Sequence, residues 1–172
     1  DFRGTYREIY NEEYYKAVNC SKFVTDCIST SRKNVLRGFH GDFVTWKLVQ
    51  CLHGEVYARI IDLNKDSETY WRCFSIVLSQ HNHKQLLIPP GFGNSILALT
   101  DDVIYHYKQS NYYEDKQFTL RYDAIGVPRW PINVVNIVLS DRDKDGAKGI
   151  IEFENRISLR TDLVNNPFNV LH

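Results

Sequence analysis

His40 is a histidine whose neighbours make it a candidate catalytic base. It closes the segment VLRGFH, behind Arg37 and Gly38, and we expect it to stand just before an apolar sheet segment. Neutral imidazole gains and loses a proton near physiological pH, as general-base catalysis requires. An isolated histidine is more often a structural or surface residue, so the hypothesis depends on the groups that the fold places beside it.

Two other patterns have the spacing of metal ligands. Four carboxylates and a glycine fit a calcium-binding loop: Asp141, Asp143, Asp145, Gly146 and Glu152. Such a loop needs flanking helices, whereas 134–139 favours a strand and Lys148 takes a usually apolar position. His81 and His83 lie in a polar turn with no third ligand in view, and we interpret them as surface residues. We keep calcium binding as a minor alternative and expect no metal.

The elements that would position these residues are mostly strands. Two apolar runs between Lys47 and Leu63 are broken at His53-Gly54, which is typical of antiparallel strands joined by a tight turn. Further short strands are predicted at 74–78, 85–88, 95–99 and 103–107. The only clear helix is predicted over Asn11–Val18, where acidic residues stand near its start. Many short, evenly spaced strands favour an all-β sandwich or jelly roll with a few short helices.

Composition limits the classes of protein that need to be considered. With 172 residues and 43% hydrophobic residues, the chain fits one globular domain. Lys plus Arg equals Asp plus Glu at 21 each, so the cationic excess of nucleic-acid binders is absent. No apolar run approaches the ~20 residues of a membrane span, and we expect neither a membrane segment nor a signal peptide. The four cysteines form no CxxC pair, and we interpret them as reduced thiols of a cytoplasmic protein.

Seven segments together resemble a known family. In chain order they are DFRGTYRE, KNVLRGFHGD, WKLVQCLHGEVYARIIDL, LSQHNHKQLLIPPGFG, YKQSNYY, YDAIGV and LSDRD. From Asp1 to about Asp143, their order and spacing resemble the dTDP-4-dehydrorhamnose 3,5-epimerase family of sugar-nucleotide epimerases. This resemblance implies a cupin-type jelly roll over residues 1–145, usually homodimeric, that needs no metal or organic cofactor. It leaves 146–172 as an extension of unknown role, which we expect to pack on the same domain.

The resemblance also implies a reaction and three reacting groups. A 4-keto sugar has acidic hydrogens at C3 and C5, because their removal gives an enolate delocalised onto the ketone oxygen. His40 resembles the base. Asp143 resembles the carboxylate that orients this imidazole and stabilises its protonated form. Tyr107 resembles the acid that returns a proton from the opposite face, although by its alternation with Tyr105 alone it would be ordinary strand packing.

The remaining matches are to substrate-binding positions. Lys47 matches a lysine near the sugar, and Arg37 and Arg3 match arginines of the active site and pyrophosphate, because a guanidinium suits phosphate oxygens. Tyr6 and Glu8 match positions that contact the nucleotide, often across the dimer interface. The resemblance therefore predicts a nucleotide-linked 4-keto sugar as the substrate.

The chain departs from the family pattern at several positions. Asn94 stands where most members carry a second histidine, and an amide cannot exchange a proton near neutral pH. With Gly41-Asp42 and Trp46, this resembles a subgroup that acts on other 4-keto-6-deoxy sugars, including GDP-linked heptoses. The segment Thr25–Cys27 also replaces a more amide-rich stretch near the thymine base. The nucleotide base, and the choice between C3, C5 or both, stay open.

Two other functional classes are compatible with the fold. A sugar-nucleotide 3,4-ketoisomerase typically carries His-x-His after the Arg-Gly pair, whereas this chain has His40-Gly41-Asp42. A noncatalytic nucleotide-sugar-binding or calcium-binding cupin would bind without solvent exchange. The missing second histidine makes the ketoisomerase the weaker enzyme hypothesis, and retention of His40, Asp143 and Tyr107 argues against a noncatalytic cupin.

Overall fold

Two antiparallel β-sheets make up most of the structure. This computed structural model describes residues 1–16, 20–114, 117–124, 126–130, 132–133 and 136–146. The elements are α1 Glu12–Lys16, β1 Thr25–Ser31, β2 Leu36–Gly41, β3 Lys47–His53, β4 Glu55–Asp62, β5 Cys73–Ser79, β6 Gln85–Ile88, β7 Phe92–Ala98, β8 Val103–Gln109, β9 Phe118–Thr119 and α2 Asp141–Asp145. One sheet has the order β1-β8-β3-β6 and the other β5-β4-β7-β2-β9.

The core lies between the two sheets. Buried apolar side chains of the first sheet come from β3, β6 and β8, and those of the second from β4, β5 and β7. The residues of this core are Val49, Cys51, Ile88, Val103, Tyr105, Val56, Ala58, Ile60, Leu78, Ile96 and Ala98. Since successive side chains of a strand point to opposite faces, each strand can contribute alternate residues to this layer.

The predicted all-β fold is confirmed, and so are most of the predicted strands. The break at His53-Gly54 separates β3 from β4, where Gly54 has a φ of 73° that a glycine adopts at little cost. The predicted strand at 85–88 coincides with β6, and the other predicted runs overlap β5, β7 and β8. The predicted helix is shorter than expected, Glu12–Lys16, and 17–19 lie outside the described residues.

Other predictions need correction. His40 lies inside β2 rather than before a strand, since β2 pairs with both β7 and β9 along this segment. The strand predicted over 134–139 is wrong for its described part, 136–139, where Val138 forms only an isolated parallel bridge with Val35.

The described residues leave the predicted domain division untested. Residues 147–172 lie outside them, so the proposed carboxy-terminal extension stays a prediction. Neither of the two described helices has the length and apolar character needed to cross a membrane.

Candidate active site

A cavity of about 260 Å³ opens between the two sheets. The strands of the five-stranded sheet contribute Arg37, His40 and Asn94 to its lining, and those of the four-stranded sheet contribute Lys47 and Tyr107. These five residues, all predicted from the sequence as site residues, therefore meet in one space.

His40 forms a pair with Asp143, which lies 103 residues further along the chain. The imidazole Nε2 is 2.6 Å from Asp143 Oδ1, and only 3% of the aspartate side chain is exposed, against 26% of the histidine. An ionised carboxylate accepts a hydrogen bond, so Nε2 is the nitrogen that carries the hydrogen. The other ring nitrogen, Nδ1, is then left with a lone pair to accept a proton. This is the arrangement of a base held by a third group.

Asp143 is itself held by local structure at the start of α2. Ser140 caps this short helix: its Oγ accepts from the backbone N–H of Asp143 at 3.2 Å and donates to Oδ2 at 2.8 Å. The backbone N–H of Gly38 donates to Oδ1 at 3.3 Å. Burial raises the pKa of Asp143, but the hydrogen bonds from His40, Ser140 and Gly38 outweigh it, and the pKa lies below its usual value. Asp143 is therefore ionised at neutral pH.

The backbone at position 38 requires the glycine of the Arg-Gly-Phe-His segment. Its φ is 97°, and a Cβ at this position would stand 2.3 Å from the backbone oxygen of Asn94. Only glycine permits so close an approach of β2 to β7 with this backbone conformation. The same approach directs the Gly38 N–H at Asp143 and sets His40 opposite Asn94 in the register of the two strands.

Tyr107 approaches the cavity from the opposite wall. It lies on β8 of the four-stranded sheet, whereas His40 lies on β2 of the five-stranded sheet, and both line the cavity. Burial raises the pKa of Tyr107, and Arg37 only partly opposes this. Its hydroxyl therefore stays protonated at neutral pH and can donate a proton. A proton acceptor and a proton donor thus face each other across the same space.

Cationic side chains complete the lining. Lys47 is only 8% exposed, and burial lowers the pKa of its ammonium group, with Asp42 raising it and Arg142 lowering it further. Arg37 donates to the backbone oxygen of Thr30 at 3.1 Å. Among the residues that the structure describes, no carboxylate forms a salt bridge with Lys47 or Arg37, so their charge is available to an anionic ligand or a developing enolate.

Three predicted substrate-binding residues lie away from the cavity of this single chain. Arg3 donates to the carboxylate of Asp1, with 77% of its side chain exposed. Tyr6 is 97% exposed, and Glu8 is also exposed. All three belong to the amino-terminal segment before α1, and their roles stay predictions.

Several residues that line the cavity, among them Arg142 and Tyr105, were not predicted from the sequence, and neither was Ser140, which supports Asp143. Arg142 lines the cavity, and its Nε donates to Thr119 Oγ1 at 2.8 Å. Tyr105 lines it two residues before Tyr107, on the same face of β8, a signal that the alternation already contained. Ser140 was recognisable as a helix cap from the Ser-x-x-Asp spacing.

His106 is a second buried histidine, but it does not enter the cavity. It alternates with Tyr105 and Tyr107 and so faces the other side of the sheet, where its Nε2 contacts Asp26 and its Nδ1 lies 3.1 Å from Gln50 Nε2. Among the described residues, His40 is therefore the one histidine that lines the cavity. His81 and His83 are exposed, as predicted.

The predicted calcium loop would need the carboxylate of Asp143 as a ligand, but this carboxylate is bonded to His40. The first five loop positions form α2, in which Asp143 is buried against His40 while Asp141 is 95% exposed and bonds Lys144 at 3.1 Å. Asp141 and Asp143 therefore do not converge on one point. Glu152, the last loop position, lies outside the described residues.

The chain is similar to one family along most of its length. The family described as dTDP-4-dehydrorhamnose 3,5-epimerase matches residues 1–149. The epimerase of that name from Shigella flexneri is 34% identical over 156 residues, which cover 86% of this chain and 84% of the relative. The one from Escherichia coli K12 is 34% identical over 152 residues, which cover 84% of this chain and 81% of the relative.

Solved structures of such enzymes share the architecture. The dTDP-6-deoxy-D-glucose-3,5-epimerase of Legionella pneumophila, in complex with dTDP-4-keto-L-rhamnose, has a TM-score of 0.80 at 30% identity, covering 85% of this chain and 80% of its own. The Bacillus anthracis epimerase with TDP and pyrophosphate bound has a TM-score of 0.78 at 32% identity, covering 84% and 85%. The expected cupin-type jelly roll is thereby confirmed.

Proposed function

The chain belongs to the dTDP-4-dehydrorhamnose 3,5-epimerase family, and from this premise we propose that its cavity inverts C3, C5 or both of a nucleotide-linked 4-keto-6-deoxy sugar. The enzyme is an isomerase of deoxysugar biosynthesis. One observation carries the proposal: an oriented imidazole and a protonated phenol face each other across a cavity that also holds cationic side chains.

The reaction follows from these positions. Nδ1 of His40 takes the hydrogen from the carbon beside the ketone, and the electron pair passes through the new C=C bond to the ketone oxygen. Lys47, Arg37 and Arg142 stabilise the resulting enolate charge. As the electron pair returns from the enolate oxygen, Tyr107 donates its proton to the opposite face of the same carbon, which inverts it. Exchange with solvent then removes the proton from His40 and restores that of Tyr107. The overall change is redox neutral, so proton donors and acceptors of the chain suffice.

Asp143 acts on the base rather than on the sugar. Its carboxylate keeps the hydrogen of His40 on Nε2 and offsets the positive charge that the ring acquires when Nδ1 is protonated. Because Asp143 is buried and bonded by Ser140 and Gly38, it holds the ring without moving between cycles.

Solvent exchange tests the assignment of the base. The purified protein is incubated in deuterium oxide with dTDP-, GDP- and UDP-linked 4-keto-6-deoxy sugars, and proton NMR follows the C3 and C5 signals. We expect loss of at least one signal with the wild type, and a fall of at least 10³-fold for His40→Asn, a typical scale for loss of a general base. The matched control is His83→Asn, an exposed position with a φ of 56° that asparagine tolerates. Equal exchange by the wild type and His40→Asn would show that His40 is not the base.

We also propose that the enzyme is a homodimer in which Arg3, Tyr6 and Glu8 contact the nucleotide across the interface. Phe2 and Tyr6 are 99% and 97% exposed, and aromatic side chains in this state suit burial against a second copy. Analytical ultracentrifugation should give a dimer that Tyr6→Ala weakens, with a raised KM for the nucleotide sugar. Tyr14→Ala, at a 70% exposed position on α1, is the control. A fully active wild-type monomer would contradict this proposal.

A further inference from the structure

The amino-terminal segment is bonded to the face of the four-stranded sheet that is turned away from the cavity. The backbone oxygen of Ile9 accepts hydrogen bonds from two cross-strand partners, Gln85 Nε2 of β6 at 2.6 Å and Gln50 Nε2 of β3 at 3.4 Å. Ile9 directly follows Glu8, one of the predicted nucleotide contacts. These two amides therefore fix the course of the segment close to the residues expected to bind the substrate.

Gln50 also contacts His106, its cross-strand partner on β8. Both side chains are buried, with 1% of Gln50 and 5% of His106 exposed. Gln50 Nε2 lies 3.1 Å from His106 Nδ1, whereas Gln50 Oε1 has no hydrogen-bond partner in the described part of the chain. The opposite amide orientation would set Oε1 against the carbonyl oxygen of Ile9. Because an NH₂ group only donates, both Ile9 O and His106 Nδ1 are acceptors.

The other nitrogen of the His106 ring shows that this histidine is neutral. Nε2 contacts Oδ1 of Asp26, and Lys108 Nζ bonds Oδ2 of the same carboxylate. Burial raises the pKa of Asp26, but the hydrogen bonds from Lys108 and His106 outweigh it and hold that pKa below its usual value. The ionised carboxylate accepts, so Nε2 carries the ring hydrogen. Nδ1, which accepts from Gln50, carries none.

Protonation of Nδ1 is incompatible with this arrangement. A hydrogen on Nδ1 would point at the NH₂ group of Gln50, and two donors cannot bond each other. The amide would have to turn so that Oε1, which lacks a partner, accepts from the ring. The same turn takes the NH₂ group away from Ile9 O. The charge of His106 and the bond to the amino-terminal segment are therefore coupled.

Three titratable side chains of the described residues belong to the same network. Asp26 of β1 would attract a protonated His106, and Lys108, two residues along β8, would repel it. Tyr10 of the amino-terminal segment covers Lys108, whose Nζ lies 4.6 Å from the centre of the tyrosine ring. Histidine is the side chain whose charge changes most readily near neutral pH, so pH is the variable to which this network responds.

We propose that Gln50 and neutral His106 are positioning residues, which hold the amino-terminal segment in the place from which it contacts the nucleotide. Protonation of His106 breaks the bond from Gln50 and loosens the segment. This inference rests on the proposed role of the segment in binding the nucleotide sugar. Both side chains lie on the face of the sheet opposite to the cavity, so they act on KM and not on kcat.

NMR and hydrogen exchange test the arrangement without any substrate. At pH 8, nitrogen-15 spectra should show His106 as the Nε2–H tautomer, and the side-chain amide signals of Gln50 should shift together with protonation of this ring as the pH falls to 5.5. His106→Gln can donate to Asp26 and accept from Gln50 but cannot titrate. At pH 5.5, peptide 1–16 should therefore exchange at least 3-fold faster in the wild type than in His106→Gln, and at pH 8 the two should agree. Comparison at one pH cancels the intrinsic pH dependence of exchange.

Steady-state kinetics with the accepted nucleotide sugar tests the consequence. Gln50→Leu should raise KM at pH 8 about 3–10-fold, the factor that corresponds to one neutral hydrogen bond, with kcat within 2-fold of the wild type. At pH 5.5 the KM of the wild type should exceed that of His106→Gln by a similar factor, and at pH 8 the two should agree. His53→Gln, at an exposed position at the end of β3, is the matched control and should follow the wild type at both pH values.

A second variant covers the case in which Gln50→Leu does not fold. Gln85→Leu, at an exposed position, removes the other bond to Ile9 and should also raise KM at pH 8. Equal exchange of peptide 1–16 in the wild type and His106→Gln at pH 5.5 overturns the inference. So does a loss of kcat in Gln50→Leu as large as its rise in KM. If no candidate sugar is turned over, the proposed function fails, while the spectra and exchange rates still decide whether His106 controls the segment.

Discussion

The carboxylate of Asp143 has two effects on His40: it keeps the ring hydrogen on Nε2, and it offsets the positive charge of the protonated ring. Replacing Asp143 by asparagine separates these effects. In the wild type, Oδ1 accepts hydrogen bonds from His40 Nε2 at 2.6 Å and from the Gly38 N–H at 3.3 Å, and Oδ2 accepts from Ser140 Oγ at 2.8 Å. The amide can place its oxygen where two donors converge and its NH₂ toward Ser140, whose hydroxyl can turn to accept. The opposite orientation would set the NH₂ against the Gly38 N–H. Asp143→Asn should therefore keep the hydrogen of His40 on Nε2 and lose only the negative charge.

The expected loss of kcat follows from the difference in energy between a charged and a neutral hydrogen bond. A hydrogen bond to a charged group contributes about 1.5–3 kcal/mol and a neutral one about 0.5–1.5 kcal/mol, so the charge contributes roughly 1–2 kcal/mol. That corresponds to a fall in kcat of roughly 5–30-fold. Asp143→Ala also removes the acceptor and leaves the Gly38 N–H unpaired, and its fall should reach about 10²–10⁴-fold, the usual contribution of an acid or base.

The assay is deuterium incorporation under saturating substrate, with Asp141→Asn as the matched control. Asp141 lies on the same short helix but is 95% exposed and pairs with Lys144, so its amide variant should retain wild-type kcat. If Asp143→Asn loses as much activity as Asp143→Ala, the amide has not kept the imidazole in its working form and the reasoning is refuted. If neither variant loses more than 2-fold, Asp143 does not support the base.

Three further predictions follow from the same geometry. Tyr107→Phe should still incorporate deuterium through His40 but with retained configuration, and NMR showing inversion at the wild-type rate would exclude Tyr107 as the acid. Gly38→Ala should lower the free energy of unfolding by at least about 2 kcal/mol, seen in urea melts, because its Cβ would stand 2.3 Å from a backbone oxygen at a φ of 97°. The lowered pKa of Asp143 contributes stability that is present above the unfolded value of about 3.9 and lost as pH falls through the folded pKa. The stability difference between wild type and Asp143→Asn should therefore shrink between pH 5 and pH 2, and a constant difference would contradict this assignment.

The fold was predictable where the local pattern is strong. The alternating apolar runs on either side of His53-Gly54 predict β3 and β4 because a glycine turn between two such runs has few other solutions. β1 was not predicted, since Thr25–Ser31 alternates partly buried and exposed residues with little apolar contrast in the sequence. The strand expected over 134–139 is the opposite error, a predicted strand that is not formed. In its described part, 136–139, Val138 forms only an isolated bridge with Val35.

The residues of the candidate site could be predicted where they belong to the motifs of the family. His40, Lys47, Asn94 and Tyr107 meet in one cavity although they come from four different strands, and only the order of the motifs indicated this. Tyr105 was missed although its alternation with Tyr107 places both side chains on one face of β8, because the same alternation is also typical of core packing.

The architecture itself favours inversion over simple exchange. Inverting a carbon requires removal of a proton from one face and its return to the other, so a single base would restore the original configuration. A two-sheet fold can place the base on one sheet and the acid on the facing one, and here β2 carries His40 while β8 carries Tyr107. The sugar ring must lie between them, with its ketone oxygen near the cationic lining. Since neither wall can act on both faces, the two losses should differ: without His40 neither exchange nor inversion occurs, whereas without Tyr107 exchange continues and inversion is lost.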